Sequence, residues 1–172
     1  AKINTKTLTP ANIILNLRDA TSTQDKMLDA QWQSILENFE LLNNINAIVA
    51  CDVSGSMTYG IGEAPINVSI GLALFFAYKN TGAYQGYFID FCGQSRLHKI
   101  DLNKSIRENY ESILHSSLDM STNIDSVFKT LLDSAVNHNI KQEDLPKYVI
   151  IISDMEFNAC DNDEINFKHW QK

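Results

Sequence analysis

The chain has 172 residues, 44% of them hydrophobic and 20% charged, which is enough apolar material for one folded domain and not the profile of a disordered chain. Lys and Arg total 14 against 21 Asp and Glu, a net charge of -7, which argues against nonspecific binding to DNA or to an anionic membrane face, since both need a basic surface. The longest purely apolar run, Gly71 to Tyr78, is far too short to span a bilayer, and the opening Ala1-Lys2-Ile3-Asn4-Thr5 carries no apolar secretory core. The three cysteines, Cys51, Cys92 and Cys160, form no CxxC pair. Neither a disulfide framework nor a zinc knuckle is expected, and a reduced, intracellular (cytoplasmic) setting fits best.

In chain order, a polar, turn-rich stretch at Asp19–Thr23 separates an N-terminal extension, 1–23, from a domain over 24–172. Leu28, Trp32, Ile35, Leu36, Phe39 and Leu42 recur at helical steps and predict a helix over 24–42, with Ser22 or Thr23 at its N-cap. Ile45 to Ala50 is a short apolar run that reads as a buried strand. A glycine-rich loop follows, and Pro65 opens a largely apolar helix that runs to about Asn80. Gly86 to Phe91 predicts a second strand and Arg96 to Ile100 a short third. Helices are expected from about Lys104, with Ile106, Tyr110, Ile113 and Leu114, and from about Asn123, with Ile124, Val127, Phe128, Leu131, Leu132 and Ala135 as an apolar stripe. Lys147 to Ser153 is the most strand-like run, and 163–171 reads as a final short helix. Alternating strands and helices predict an α/β fold, a three-layer sandwich on a mainly parallel sheet, whose ligands sit at the carboxyl ends of the strands.

Two strands end in carboxylates on that side. The first runs into Cys51-Asp52-Val53-Ser54-Gly55-Ser56-Met57 and the last into Ser153-Asp154-Met155-Glu156, while Met120-Ser121-Thr122-Asn123 stands just ahead of a helix. Asp52 and Asp154 with the hydroxyls of Ser54, Ser56 and Thr122 make an all-oxygen set, suited to a hard divalent cation such as Mg²⁺, with Mn²⁺ or Ca²⁺ as alternatives. No His or Cys belongs to the set, which disfavours Zn²⁺.

Asp52-Val53-Ser54-Gly55-Ser56 followed by Thr122 and Asp154 resembles the metal-ion-dependent adhesion site of von Willebrand factor A domains. With Gln31-Trp32, Met57, Met120-Ser121-Thr122 and Ile152-Ser153-Asp154-Met155-Glu156-Phe157, the chain over about 24–160 is most similar to DUF2828, a family of unknown function with such a domain, found in plants, fungi, protists and large DNA viruses. The resemblance implies a Rossmann-like sheet in which Ser54, Ser56 and Thr122 ligate the ion, Asp52 and Asp154 bind it directly or through water, and a partner's acidic side chain takes the sixth position. The full sheet of such domains has the order 3-2-1-4-5-6. Because about fifteen residues follow Phe157, the sheet is expected to be truncated after its fourth strand. Strand 147–153 would then be an open apolar edge, which fits a chain that is a fragment, an edge paired in a homo-oligomer, or an edge covered by the N-terminal segment 3–17, with the last two favoured.

Plainer readings stand beside these. Asp52 and Ser54 are ordinary turn residues, but Thr122 and Asp154 at matching places weigh toward a metal site. Thr122 also fits an N-cap with Asp125 three residues on, a role compatible with ligation. Glu156 reads as a solvated loop charge, Cys51 and Cys92 as small core residues and Cys160 as a loop thiol. His98, His115, His138 and His169 read as surface or helix-end groups, and Trp32 as core. Asp161-Asn162-Asp163 lacks the glycine and final glutamate of a calcium loop, and no phosphate-binding GxxxxGK[ST] is present. The leading function is a metal-dependent protein-binding module and not an enzyme, with no direct nucleic-acid or membrane contact. The alternatives are a structural or assembly subunit with an unused metal site, a Mg²⁺-dependent phosphatase with Asp52 as nucleophile, and an RNA-associated protein of the Ro type. The phosphatase is weakened by Ser54, which stands where an acid/base carboxylate is needed, and the Ro-type reading by the acidic charge balance.

Overall fold

The structure, a computed structural model, describes residues 8–19, 24–39, 45–58, 64–90, 94–114 and 123–154. Its helices are α1 (Pro10–Asp19), α2 (Asp25–Asn38), α3 (Pro65–Lys79), α4 (Ile106–Leu114) and α5 (Ile124–Asn137). Its strands are β1 (Ala47–Cys51), β2 (Tyr87–Asp90), β3 (Arg96–Lys99) and β4 (Tyr148–Ile152). The sheet order is β3-β2-β1-β4, with β1 parallel to both β2 and β4 and with β3 antiparallel to β2. The expected α/β class with a mainly parallel sheet is therefore observed as a mixed, four-stranded one.

The sheet's two faces explain the sequence pattern. Ala-Ile-Val-Ala-Cys in β1 is buried at every residue, as a central strand covered on both sides must be. Val49, Cys51 and Phe88 face a core built with α1, α2, α3 and α4, while Ile48, Ala50 and Ile89 face a second core with Val127 and Leu131 of α5. The apolar stripe of α5 is narrower than expected. Ile124, Val127 and Ala135 are buried, but Leu132 and Val136 lie on the outer side, 63% and 66% exposed.

Residues 8–19 behave differently from the expected edge cover, and residues 3–7 of that segment lie outside the described residues. Thr9 and Asn12 cap each other, Thr9 N–H donating to Asn12 Oδ1 at 2.9 Å and Asn12 N–H to Thr9 Oγ1 at 3.2 Å, and Pro10 takes the first helical position. Ile13, Ile14 and Leu17 are then buried in the same core as α3 and β1. Thus α1 packs on α3 and not along β4. The approach is close enough that a Cβ on Gly71 of α3 would stand 2.8 Å from Pro10 C and 2.9 Å from Ala11 N.

Other local features also differ from the sequence reading. Asn123, not Thr122, is the N-cap of α5, and its side chain accepts from Ser126 N–H. Gln24 precedes α2 without a side-chain cap. Buried Asn80 at the end of α3 ties three segments together. Its Oδ1 accepts from Ala47 N–H at 3.2 Å and Thr81 N–H at 2.9 Å, and its Nδ2 donates to Tyr84 O at 2.9 Å. Among the described residues no helix is long and apolar enough to cross a membrane.

Candidate metal centre

Loop 52–58 leaves the carboxyl end of β1 held from below. Val53 and Met57 are buried in the core, and these two anchors keep the intervening polar residues at the strand's end. Asp52 N–H donates to Ile152 O at 2.9 Å, which extends the β1–β4 ladder by one step. Both carboxylate oxygens of fully buried Asp52 are engaged: Oδ1 accepts from Ser54 N–H at 2.9 Å and Oδ2 from the Ser153 hydroxyl at 2.7 Å. The first bond closes an Asx turn. A single turn of 3₁₀ helix, Gly55–Thr58, follows, closed by Thr58 Oγ1 donating to Gly55 O at 2.6 Å.

This turn brings the Ser54 and Ser56 hydroxyls to 3.1 Å of each other, Ser54 buried and Ser56 half-buried. Adjacent oxygens on an octahedral Mg²⁺ with bonds of 2.0–2.1 Å lie about 2.9 Å apart, so the pair is spaced as two neighbouring ligands would be. A carboxylate oxygen with one accepted bond still has a lone pair for a metal-bound water. The donor set of Asp52, Ser54 and Ser56 therefore fits a hard cation. Among the described residues no three His, Cys, Asp or Glu side chains group closely enough to hold a metal. An ion here would rest on hydroxyls, one carboxylate and water.

Of the five expected ligands, the loop gathers Asp52, Ser54 and Ser56. Asp154 follows Ser153 at the carboxyl end of β4 and is exposed. Thr122 lies outside the described residues, as do Cys92, Glu156, Cys160, Asp161 to Asp163 and the final helix expected over 163–171. Asn123, its described neighbour, is at the same edge of the sheet. The Ser126 hydroxyl bonds Asn123 O at 2.7 Å and accepts from Ser95 N–H at 3.2 Å, just before β3.

Two residues escaped the sequence reading. Ser153 fixes the outer oxygen of Asp52. Asp90 ends β2 beside Cys51, buried, with Oδ1 accepting from Arg96 N–H at 3.0 Å. Its Oδ2 lies 2.6 Å from Nε2 of His98, whose ring stacks on Phe88 at 5.0 Å. His98 is thus a strand residue paired with a buried carboxylate, not the surface or helix-end group expected. The signal was present: Asp90 closes an apolar strand just as Asp52 and Asp154 do, but it falls inside the expected strand 86–91 and was read as part of it. His138 does sit at a helix end, its Nδ1 2.9 Å from Ser134 O, and Cys51 is buried as expected.

Comparison with known proteins corrects the family suggested by the motifs. Residues 46–172 match the model of a family described as a domain of unknown function, DUF7788. That family is distinct from DUF2828, and neither DUF2828 nor a von Willebrand A family is matched. Strand-end and turn motifs such as Asp-Val-Ser-Gly-Ser-Met are a few residues long and answer to local needs of burial and turn geometry, so they do not discriminate between families. The chain is also similar to "Uncharacterized protein L728" of Acanthamoeba polyphaga mimivirus, 31% identical over 163 residues, covering 93% of the chain but only 27% of the viral protein. No solved structure matches the chain. With its family model matched from just before β1 through the whole sheet, the chain belongs to the DUF7788 family.

Proposed function

We propose that this domain is a divalent-metal-dependent protein-binding module, and that loop 52–56 holds Mg²⁺ and presents it to an acidic side chain of a protein partner. The reading is carried by the 3.1 Å Ser54–Ser56 hydroxyl pair beside buried Asp52 at a strand's carboxyl end. Thr122 and Asp154 would complete the ligand set directly or through water. The ion supplies the positive charge that attracts the partner's carboxylate, in a protein whose own net charge is -7.

The test is a thermal melt with and without millimolar Mg²⁺, run on the parent and on Ser54→Ala and Ser56→Ala. Binding to the folded state alone stabilises it by about 2.7 kcal/mol at a hundredfold excess over Kd. A rise in the parent that disappears in both variants supports the reading; an unchanged parent melt rejects it for the isolated domain.

A second reading, a structural subunit assembling through its sheet edge, is favoured by β4. Among the described residues β4 pairs only with β1, and its Tyr148 is 61% exposed. Dimers that Tyr148→Lys abolishes while the fold is kept would bring this reading forward.

A further inference from the structure

We infer a second binding site, for a small organic carboxylate with an apolar body, in the cavity between α1, α3 and α4. Its volume is about 430 Å³, within the roughly 300–1,000 Å³ of small-molecule sites. Leu17, Ile66, Ile70 and Tyr110 supply an apolar lining, and Arg18, Asn67, Arg107 and Glu111 the polar groups.

The decisive residue is Asn67. Asn67 is 1% exposed, it lines this cavity, and among the described residues its Nδ2 has no hydrogen-bond partner. Leaving such a donor unmet costs free energy in the folded protein, and an acceptor oxygen placed in the cavity would meet it. Two further features make that acceptor negative. Ile66 and Asn67 belong to the first turn of the 15-residue α3, where the helix dipole favours an anion. Arg18 stands at the rim without an ion pair among the described residues. Arg107 contributes shape more than free charge, since it is held by Asp25 at 2.6 Å and Glu111 at 3.6 Å, with Nη1 on Leu17 O at 3.3 Å. The cavity therefore has a donor at the foot of α3, a cation at its mouth and an apolar wall between them, which is the layout of a short aliphatic or aromatic acid.

The test is a ¹⁵N- and methyl-detected NMR titration with phenylacetate and hexanoate, beside the neutral phenylacetamide, in metal-free buffer so that no carboxylate reaches an ion in loop 52–56. The expected result is saturable shifts at Ile66, Asn67, Ile70 and Tyr110, with the amide at least about fivefold weaker and Arg18→Gln lowering the acid's affinity by about threefold or more. Asn67→Leu, nearly isosteric, removes the orphaned donor. It is expected to melt at or above the parent temperature while losing binding, so loss of fold and loss of site are told apart. Absence of saturable shifts up to about 10 mM, well above a millimolar Kd, would overturn the site. So would unchanged binding in a folded Asn67→Leu. Equal affinity for the acid and the amide would overturn the anionic assignment.

Discussion

The Ser153 hydroxyl donates to Asp52 Oδ2 at 2.7 Å, joining residues 101 positions apart at the ends of β4 and β1. With Asp52 N–H on Ile152 O, it locks the first residue of the candidate metal loop to the neighbouring strand. A hydrogen bond to a carboxylate contributes about 1.5–3 kcal/mol. Ser153→Ala is expected to lose about 2 kcal/mol in urea denaturation and to weaken Mg²⁺ binding, because among the described residues the Asp52 carboxylate then keeps the Ser54 N–H bond alone. A variant with parent stability and parent metal response would show that Ser153 does not position Asp52.

Asp90 and His98 form a second strand-end pair whose worth lies in avoiding a stranded charge. Asp90 has a side-chain exposure of 1%, and among the described residues His98 Nε2 and Arg96 N–H reach its oxygens. His98→Ala removes one of these and the stacking on Phe88. Leaving a buried carboxylate short of one hydrogen bond costs about 1.5–3 kcal/mol, and with His98 20% exposed, His98→Ala is expected to cost about 2 kcal/mol. The same change in an Asp90→Asn background is expected to cost only about 1 kcal/mol, since no charge is left unmet. Equal costs in the two backgrounds, measured as a double-mutant cycle, would mean that stacking and not the pair carries the effect.

The central elements were legible in the sequence because burial on both faces leaves one kind of residue. Ile45 to Ala50, Lys147 to Ser153 and the helix opened by Pro65 all fall within a few residues of β1, β4 and α3. The N-terminal helix was not legible from its apolar content. Ile13-Ile14-Leu15-Asn16-Leu17 is as compatible with a strand as with a helix, and only Thr9-Pro10 with Asn12 marks it as helical. Leu132 was misplaced because a stripe of width sufficient for core is narrower than all apolar residues of α5 combined. In the site, Asp52, Ser54 and Ser56 were legible because they are sequential and share one turn. Ser153 and the Asp90–His98 pair depend on strands lying side by side, which no local pattern states. The family was beyond reach of such motifs, since short turn chemistry recurs wherever a buried strand must end at a polar loop.

The start of α4 provides a pH-dependent prediction. Ser105 and Glu108 cap each other, Ser105 N–H and Oγ donating to Glu108 Oε2 at 3.0 and 2.8 Å while Glu108 N–H donates to Ser105 Oγ at 3.2 Å. The Ser105 hydroxyl first, and then its backbone N–H, hold the Glu108 carboxyl below its ordinary value. A lowered carboxyl contributes stability above the unfolded glutamate value of about 4.3 and loses it as pH falls through the folded one. Glu108→Gln is therefore expected to melt below the parent near neutral pH, and the gap is expected to close as the parent is acidified. A gap that stays constant over the acid range would show that the carboxylate's charge does not matter to the cap.

The crossing of α1 on α3 sets two known effects against each other at one residue. Replacing glycine by alanine inside a helix normally gains about 1 kcal/mol from propensity. At Gly71 the new Cβ would meet Pro10 C at 2.8 Å, Ala11 N at 2.9 Å and Pro10 O at 3.0 Å. These are backbone atoms, so no side chain can rotate away, and α1 itself must retreat. That retreat opens the core around Ile13, Ile14 and Leu17, all 2% exposed or less. Overpacking of this kind costs about 1–3 kcal/mol before any lost burial is added. Gly71→Ala is expected to be net destabilising by about 1–2 kcal/mol, with faster hydrogen exchange in α1 than elsewhere. A stabilised Gly71→Ala, or one whose loosening is spread evenly over the domain, would mean that α1 is not clamped to α3 at this crossing.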